Sequence, residues 1–303
     1  MAINRYNIKK WFKMLTGKSI LHVNQGTGKN FSIKEIKGYY NDLTEKVLKD
    51  EKHIQNIDYL PILETEGGEQ VYFPIAIFQY GLGCYDCYLN TKEEIYLKKF
   101  VTCVDWAEKN QNVNGSYSTF FFNHPNAPYS AMSQGEAVSL LLRAYKHFEN
   151  KKYYRLAHKA IDFMLLSVSN GGTTMYQTQD ILFLEYTHLP VVMNGWIFAL
   201  FGLFDWILVC EEERYKKIFN QSIQTLLRKL SEFDCGYWTN YDIKSKIASP
   251  FYHNLHIAQM NALKQITGIE VFQQYELKWM QYKKSFWKRT KAFIKKVIQK
   301  IKE

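Results

Sequence analysis

Cysteine is scarce and irregular in this 303-residue chain, with five residues at no framework-like spacing. An odd, scattered set excludes a disulfide-stapled fold and points to a reducing compartment. Cys84 and Cys87 form a lone C-x-x-C, without the second pair or the thioredoxin-like setting that zinc or redox work requires. The first residues lack the apolar core of a signal peptide. No H-E-x-x-H run is present. His253 and His256 lie three apart and His188 is a third candidate, but no ligand set at zinc spacing forms around them. A glycoside hydrolase needs two positioned carboxylic acids, and only Glu185 stands out in the loops. One apolar run, 189–209, approaches the ~20 residues that a bilayer span needs. It contains Pro190, Asn194 and Asp205 and has no companion, so it reads as a core helix, apolar on nearly all sides.

The body of the chain also lacks net positive charge, although the whole chain carries +10. Residues 1–18 carry five cations and no acid, residues 283–303 carry nine cations and one acid, and the stretch between sums to −3. Basicity confined to the two ends argues against nucleic acid as a partner. Both ends are amphipathic. In KKSFWKRTKAFIKKVIQKIKE, Phe286, Trp287, Phe293, Ile294, Val297, Ile298 and Ile301 recur at helical spacing among cations, and Trp11, Phe12 and Leu15 do the same near the start. A basic helix with an aromatic-rich face suits an anionic membrane interface. Two weak anchors reinforce each other, so a peripheral location at the inner face of the membrane is expected.

Hydrophobic residues at 47% and aromatics at 16% suffice for a substantial core. Helical periodicity predicts segments at 92–110, 133–148, 151–169, 190–210, 213–232, 254–267 and 270–284, with Ser133 and Glu136 arranged as a capping box. Residues 19–90 look mixed, including the extended-looking V-Y-F-P-I-A-I. Three connections, NVNGSYSTF (112–120), SNGGTTMYQ (169–177) and DCGYWTNYD (234–242), each follow a helix with a Gly-centred turn and a short aromatic strand-like piece. Helix hairpins repeating about every 60 residues suggest an incomplete (α/α) toroid, all-α dominated, with short β hairpins in its loops. The expected divisions are a basic N-terminal arm (1–18), a mixed segment contributing to the cleft (19–90), the toroid (91–284) and a basic C-terminal helix (285–303). A plain helical bundle is the other architecture the pattern allows.

Polar loop tips hold the candidate chemistry: Gln79-Tyr80, Tyr129 to Gln134, Glu185-Tyr186, Asn194-Gly195, Tyr241-Asp242 and Tyr252-His253. Here the sequence becomes recognisable. YSAMSQGEAVSLLLRAY (129–145), E-Y…P-x-x-x-x-N-G (185–195) with F-G-L-F-D after it, Y-D (241–242) and Y-H-x-x-H-I-x-Q (252–259) stand in consistent order. Together with Y-F-P-I-A-I-F-Q-Y-G-L (72–82) they resemble the heparosan D-glucuronyl C5-epimerases over roughly residues 70–283. The animal enzymes carry a β-rich domain ahead of the helical one. Here that gap is almost closed, so the chain looks like a compact, microbial-type member.

The resemblance implies conversion of D-glucuronate to L-iduronate in an acidic, heparosan-like polymer. The C5 proton is removed α to a carboxylate, and a proton returns on the opposite face. No cofactor is required. By resemblance Tyr252 and Glu185 are the acid/base pair, and Tyr186 and Tyr241 are further catalytic or carboxylate-binding groups. Gln79, Tyr80, Tyr129, Gln134, Asn194 and His253 are candidate substrate binders, and Lys244 is a cation for the carboxylate. His256 is expected to be structural. The resemblance also admits calcium, with Asp180 as the one acid to consider, and a homodimer. The rival readings are a uronate lyase, which begins with the same proton abstraction, and a non-catalytic, membrane-associated glycan-binding protein.

Overall fold

A computed structural model describes residues 22–49 and 53–302. The basic arm at 1–18 lies outside these residues. The described elements, in order, are α1 (Thr44–Leu48), β1 (Ile62–Glu64), β2 (Gln70–Tyr72), α2 (Pro74–Thr91), α3 (Glu94–Asn110), α4 (Ala131–Phe148) and α5 (Lys151–Leu165), then β3 (Thr174–Tyr176), β4 (Ile181–Phe183), α6 (Met193–Ile207), α7 (Glu213–Lys229), α8 (Pro250–Thr267), α9 (Glu270–Lys284) and α10 (Phe286–Lys302). Helices α2–α3, α4–α5, α6–α7 and α8–α9 pair as hairpins, and α2, α4, α6 and α8 pack side by side as an inner layer. The result is an incomplete α/α toroid of four hairpins. Its sheets are two antiparallel hairpins, β1–β2 and β3–β4.

The division into inner and outer helices follows from the apolar pattern. The run MNGWIFALFGLFDWI of α6 is buried along almost its whole length, and Trp196, Phe198 and Phe201 are fully enclosed. Burying each such side chain stabilises the fold by roughly 1.5–3 kcal/mol. The outer helices α5 and α7 bury one stripe only, as amphipathic surface helices do. No helix among the described residues is long and apolar enough to cross a membrane.

Two local expectations are corrected. The V-Y-F-P-I-A-I stretch is extended only as far as Phe73. From Pro74 it forms the first inner helix, so the toroid begins there and not at 91. Proline fits the first helical turn, and a helix buried on all sides carries no 3.6-residue stripe to reveal it. The cap of α4 is Ser130, whose Oγ accepts from the Ser133 amide at 3.5 Å, and Ser133 is already inside the helix. The expected strand-like pieces reduce to one true hairpin in the loops, β3–β4. The loop at 234–247 holds only isolated bridges.

Residues 38–40 close one end of the toroid, while His22 packs on Phe251 at the other. Tyr39 donates its backbone N–H to the Asp86 carboxylate, Tyr40 donates its hydroxyl to Asp205 Oδ1 at 2.7 Å, and Arg143 bridges Asp205 Oδ2 and the Gly38 carbonyl. Asp86, Arg143 and Asp205 all lie near the C-terminal ends of inner helices. The opposite end, where α4, α6 and α8 begin, carries the three Gly-centred loops. Each loop turns on a glycine of positive φ: Gly115, Gly171 and Gly236.

Candidate active site

Three loops and one helix start converge on a carboxylate. Glu185 lies two residues past the end of β4. Its segment is held by Leu184, whose amide donates to the Thr173 carbonyl and whose carbonyl accepts from Ala131 at the start of α4. The side chain lies against Gly195 in the first turn of α6. A Cβ at Gly195 would come within 2.4 Å of Glu185 Oε2, so only glycine admits the carboxylate there. Asn194 Nδ2 approaches Oε2 at 3.5 Å, and the Tyr241 hydroxyl approaches Oε1 at 3.5 Å. Glu185 is 6% exposed. Burial pushes its carboxyl up to about 7, against hydrogen bonds from Tyr186 and Tyr241 that favour the anion.

Tyr241 is presented by the third loop. Its carbonyl accepts from the Met193 amide at 3.3 Å, and Val192 bridges Asp242, which ties this loop to the start of α6. Tyr252 sits in the first turn of α8, after Pro250, with Ser249 capping the helix through the Tyr252 amide. The Tyr241 and Tyr252 rings lie 4.7 Å apart. Tyr186 stacks on Phe120 from the first loop at 4.3 Å, with the His124 ring 6.0 Å away. Burial, then the nearby Glu185 charge, raises the pKa of Tyr186, Tyr241 and Tyr252 above that of a free phenol. The site therefore rests as a carboxyl that titrates near neutrality among three neutral phenols. A carboxylate of this kind can accept a proton, and a neutral phenol can supply one.

The other predicted residues fall elsewhere. Gln79 is buried beneath the site and donates to Glu136 Oε1 at 2.7 Å. Tyr80 is core, its hydroxyl receiving Lys99 Nζ at 3.2 Å. Gln134 braces the first loop through the Tyr117 amide and the Gly115 and Ala160 carbonyls. Tyr129 packs on Phe163, and Lys244 is exposed. His253 is fully buried and stacked on Trp238. Its Nδ1 is shared with Thr239 and its Nε2 with the Trp279 carbonyl. Burial lowers its ionisation to about 3, so it is a neutral brace between the third loop and α9 and not a substrate contact. His256 is likewise buried, with Nδ1 on Thr239. Asp180 pairs with Arg228 at 2.7 Å and Lys229 at 3.5 Å, which satisfies its charge and does not suit it to calcium. Among the described residues no three His, Cys, Asp or Glu side chains gather as a metal site would require.

Three contributors stood in the quoted stretches without a role at the site. Phe120 is the platform under Tyr186. Gly195 is the space that Glu185 fills. Glu136 is fully buried and hydrogen-bonded to Gln79; burial, and to a lesser degree the Glu185 charge, hold its carboxyl well above the ordinary value. The S-Q-G-E spacing contained Glu136, but nothing in it distinguishes a capping acid from a buried one.

Residues 105–281 match the family described as D-glucuronyl C5-epimerase C-terminus. The chain is 27% identical over 232 residues to the D-glucuronyl C5-epimerase of Caenorhabditis elegans, covering 67% of this chain and 37% of that protein. An uncharacterized protein of Methanocaldococcus jannaschii is 26% identical over 157 residues, covering 50% of this chain and 51% of its own length. The chain thus aligns with about a third to a half of the length of these relatives. Among solved structures, a family 76 glycoside hydrolase from a bovine Bacteroides thetaiotaomicron strain is similar at a TM-score of 0.48 and 14% identity, over 75% of this chain and 54% of that one.

Proposed function

The chain belongs to the D-glucuronyl C5-epimerase family, and from that premise we propose that it converts D-glucuronate to L-iduronate within a heparosan-like polymer. The observation that carries the reading is the convergence of Glu185, raised to about 7, with the hydroxyls of Tyr186, Tyr241 and Tyr252.

In the glucuronate-to-iduronate direction, ionised Glu185 takes the C5 proton. The C5–H bond breaks, and its electron pair moves into the adjacent carboxylate, giving a dianionic enolate. Such an intermediate is stabilised by fixed donors where charge develops. The Tyr186 and Tyr241 hydroxyls and the N-terminal turn of α6 are the donors available here. Tyr252 then delivers its phenolic proton to C5 from the opposite face and is left as a tyrosinate. Tyr241, within reach of both Glu185 and Tyr252, carries the proton from the first back to the second, and the site returns to its starting state. The reverse reaction runs the same steps backwards, with the two partners exchanging roles.

A uronate lyase would share the first step and then expel the C4 substituent. Incubating the protein with heparosan in deuterated water separates the two. Deuterium at C5 with iduronate signals and no absorbance from an unsaturated uronate is the expected result. Rising absorbance near the unsaturated-uronate band would assign elimination instead.

A further inference from the structure

We propose that the outward face of α10 docks on the interface of an anionic lipid bilayer. At about 100° per residue, Phe286, Trp287, Phe293, Ile294, Val297 and Ile298 share one side of this helix. All six are exposed, Trp287 at 80% and Phe286 at 63%. The opposite side is the one that meets the protein. Ala292 is buried there, and Gln299 accepts from the Ile247 amide at 3.0 Å and donates to the Ser245 carbonyl at 3.4 Å. Lys296 bonds the Ile247 carbonyl, and Lys288 lies over the Tyr282 ring at 4.1 Å. A surface helix that only completes a core turns its apolar stripe inward. This one turns it outward, held by its polar back.

The flanks decide the occupant. Exposed Arg289 borders the apolar arc on one side and exposed Lys291 and Lys295 on the other, within a segment of nine cations to one acid. Aromatic and aliphatic side chains between rows of cations match the acyl boundary and headgroups of an anionic leaflet. A second copy of the same face would set cation row against cation row. An acidic glycan would meet the cations and leave six apolar side chains in water. The grip on Ile247 has a consequence for position, since the segment 241–247 joins this helix to Tyr241. The docked face and the candidate site are thereby held by one stretch of backbone.

The test uses the full chain and vesicles of phosphatidylcholine with or without phosphatidylglycerol. Sedimentation should show partition onto the anionic vesicles, weakening as salt is raised, and little onto pure phosphatidylcholine. Brominated acyl chains should quench a tryptophan signal that is absent in Trp287→Phe. Ile294→Glu with Val297→Glu should weaken partition about tenfold or more with an unchanged melting temperature, because both positions face solvent. Absence of partition would overturn the proposal. Partition unaltered by the double substitution would also overturn it, since residues 1–18 would then carry the binding. A vesicle-free oligomer abolished by the same substitutions would overturn it as well, assigning the face to a second copy. None of these outcomes depends on the reaction at Glu185.

Discussion

The Tyr241 hydroxyl lies 3.5 Å from Glu185 Oε1 and its ring lies 4.7 Å from that of Tyr252, so one phenol stands between the carboxylate and the second phenol of the site. The two ends of this relay hold protons with different strength. Glu185 is raised only to about 7, whereas Tyr252 is held above the range of a free phenol by burial and by the Glu185 charge. One end is poised to lose its proton at neutral pH and the other to keep it.

The pH profile follows from that difference. In the glucuronate-to-iduronate direction kcat/KM should rise with pH through about 7, as Glu185 ionises, with no fall on the alkaline side until well above the range where Tyr252 stays neutral. The iduronate-to-glucuronate direction should show the same dependence, because its working form, with the proton on Glu185 and off Tyr252, holds the same number of protons and the ratio of the two kcat/KM values is fixed by the equilibrium constant. Initial rates of C5 deuterium exchange from each pure substrate would check both.

Glu185→Gln should abolish exchange by about a hundredfold to ten-thousandfold and stabilise the fold at pH 8. The folded carboxyl is raised above its ordinary value of 4.5, so the native state binds more protons than the unfolded chain between 4.5 and about 7. Stability is therefore lost as pH rises through that window. The neutral amide removes this loss, a gain on the order of 3 kcal/mol at most, read as a higher melting temperature at pH 8 and little change at pH 4.

Tyr252→Phe should remove exchange while leaving heparosan binding and the circular dichroism spectrum intact. The ring packing against Tyr241 is kept and only the proton is lost. Retained epimerisation in this variant would move the donor role to Tyr186 or Tyr241.

Gly195→Ala tests the space behind the carboxylate. The new Cβ falls 2.4 Å from Oε2, and Glu185 has to move. A displacement of this size should cost about a hundredfold in kcat, even though alanine is the better helix former.

His253→Ala separates bracing from binding. Losing two buried hydrogen bonds and the stacking on Trp238 should destabilise the fold by about 2–4 kcal/mol, with KM for the polymer unchanged in the folded fraction. Denaturant melts and saturation kinetics on the same preparation would show it.

Much of this was readable along the chain. The helical spacing of 92–110 and 213–232, the run at 190–210 and the three Gly-centred turns each carry a local signal, so the hairpin toroid could be drawn from them. The quartet Glu185, Tyr186, Tyr241 and Tyr252 came from motifs in fixed order, and these four side chains do meet. Gln79, Tyr80, Gln134 and His253 stood in the same motifs but turned inward. A motif records that a position matters, and bracing a loop leaves the same mark as touching a ligand. Helix α2 was hidden because a helix apolar on every side has no periodicity to display.

The sequence by itself determined which segments are helices with one apolar face, where the chain must turn, and that positive charge gathers at its ends. Those are properties of neighbours a few residues apart, set by side-chain spacing and backbone preference. Only the tertiary structure decided which polar residues face the cleft, how far burial lifts Glu185, and that α10 meets the protein with its polar side. Each of those depends on what distant segments exclude from water, and desolvation is a property of the packed molecule and not of any stretch of its chain.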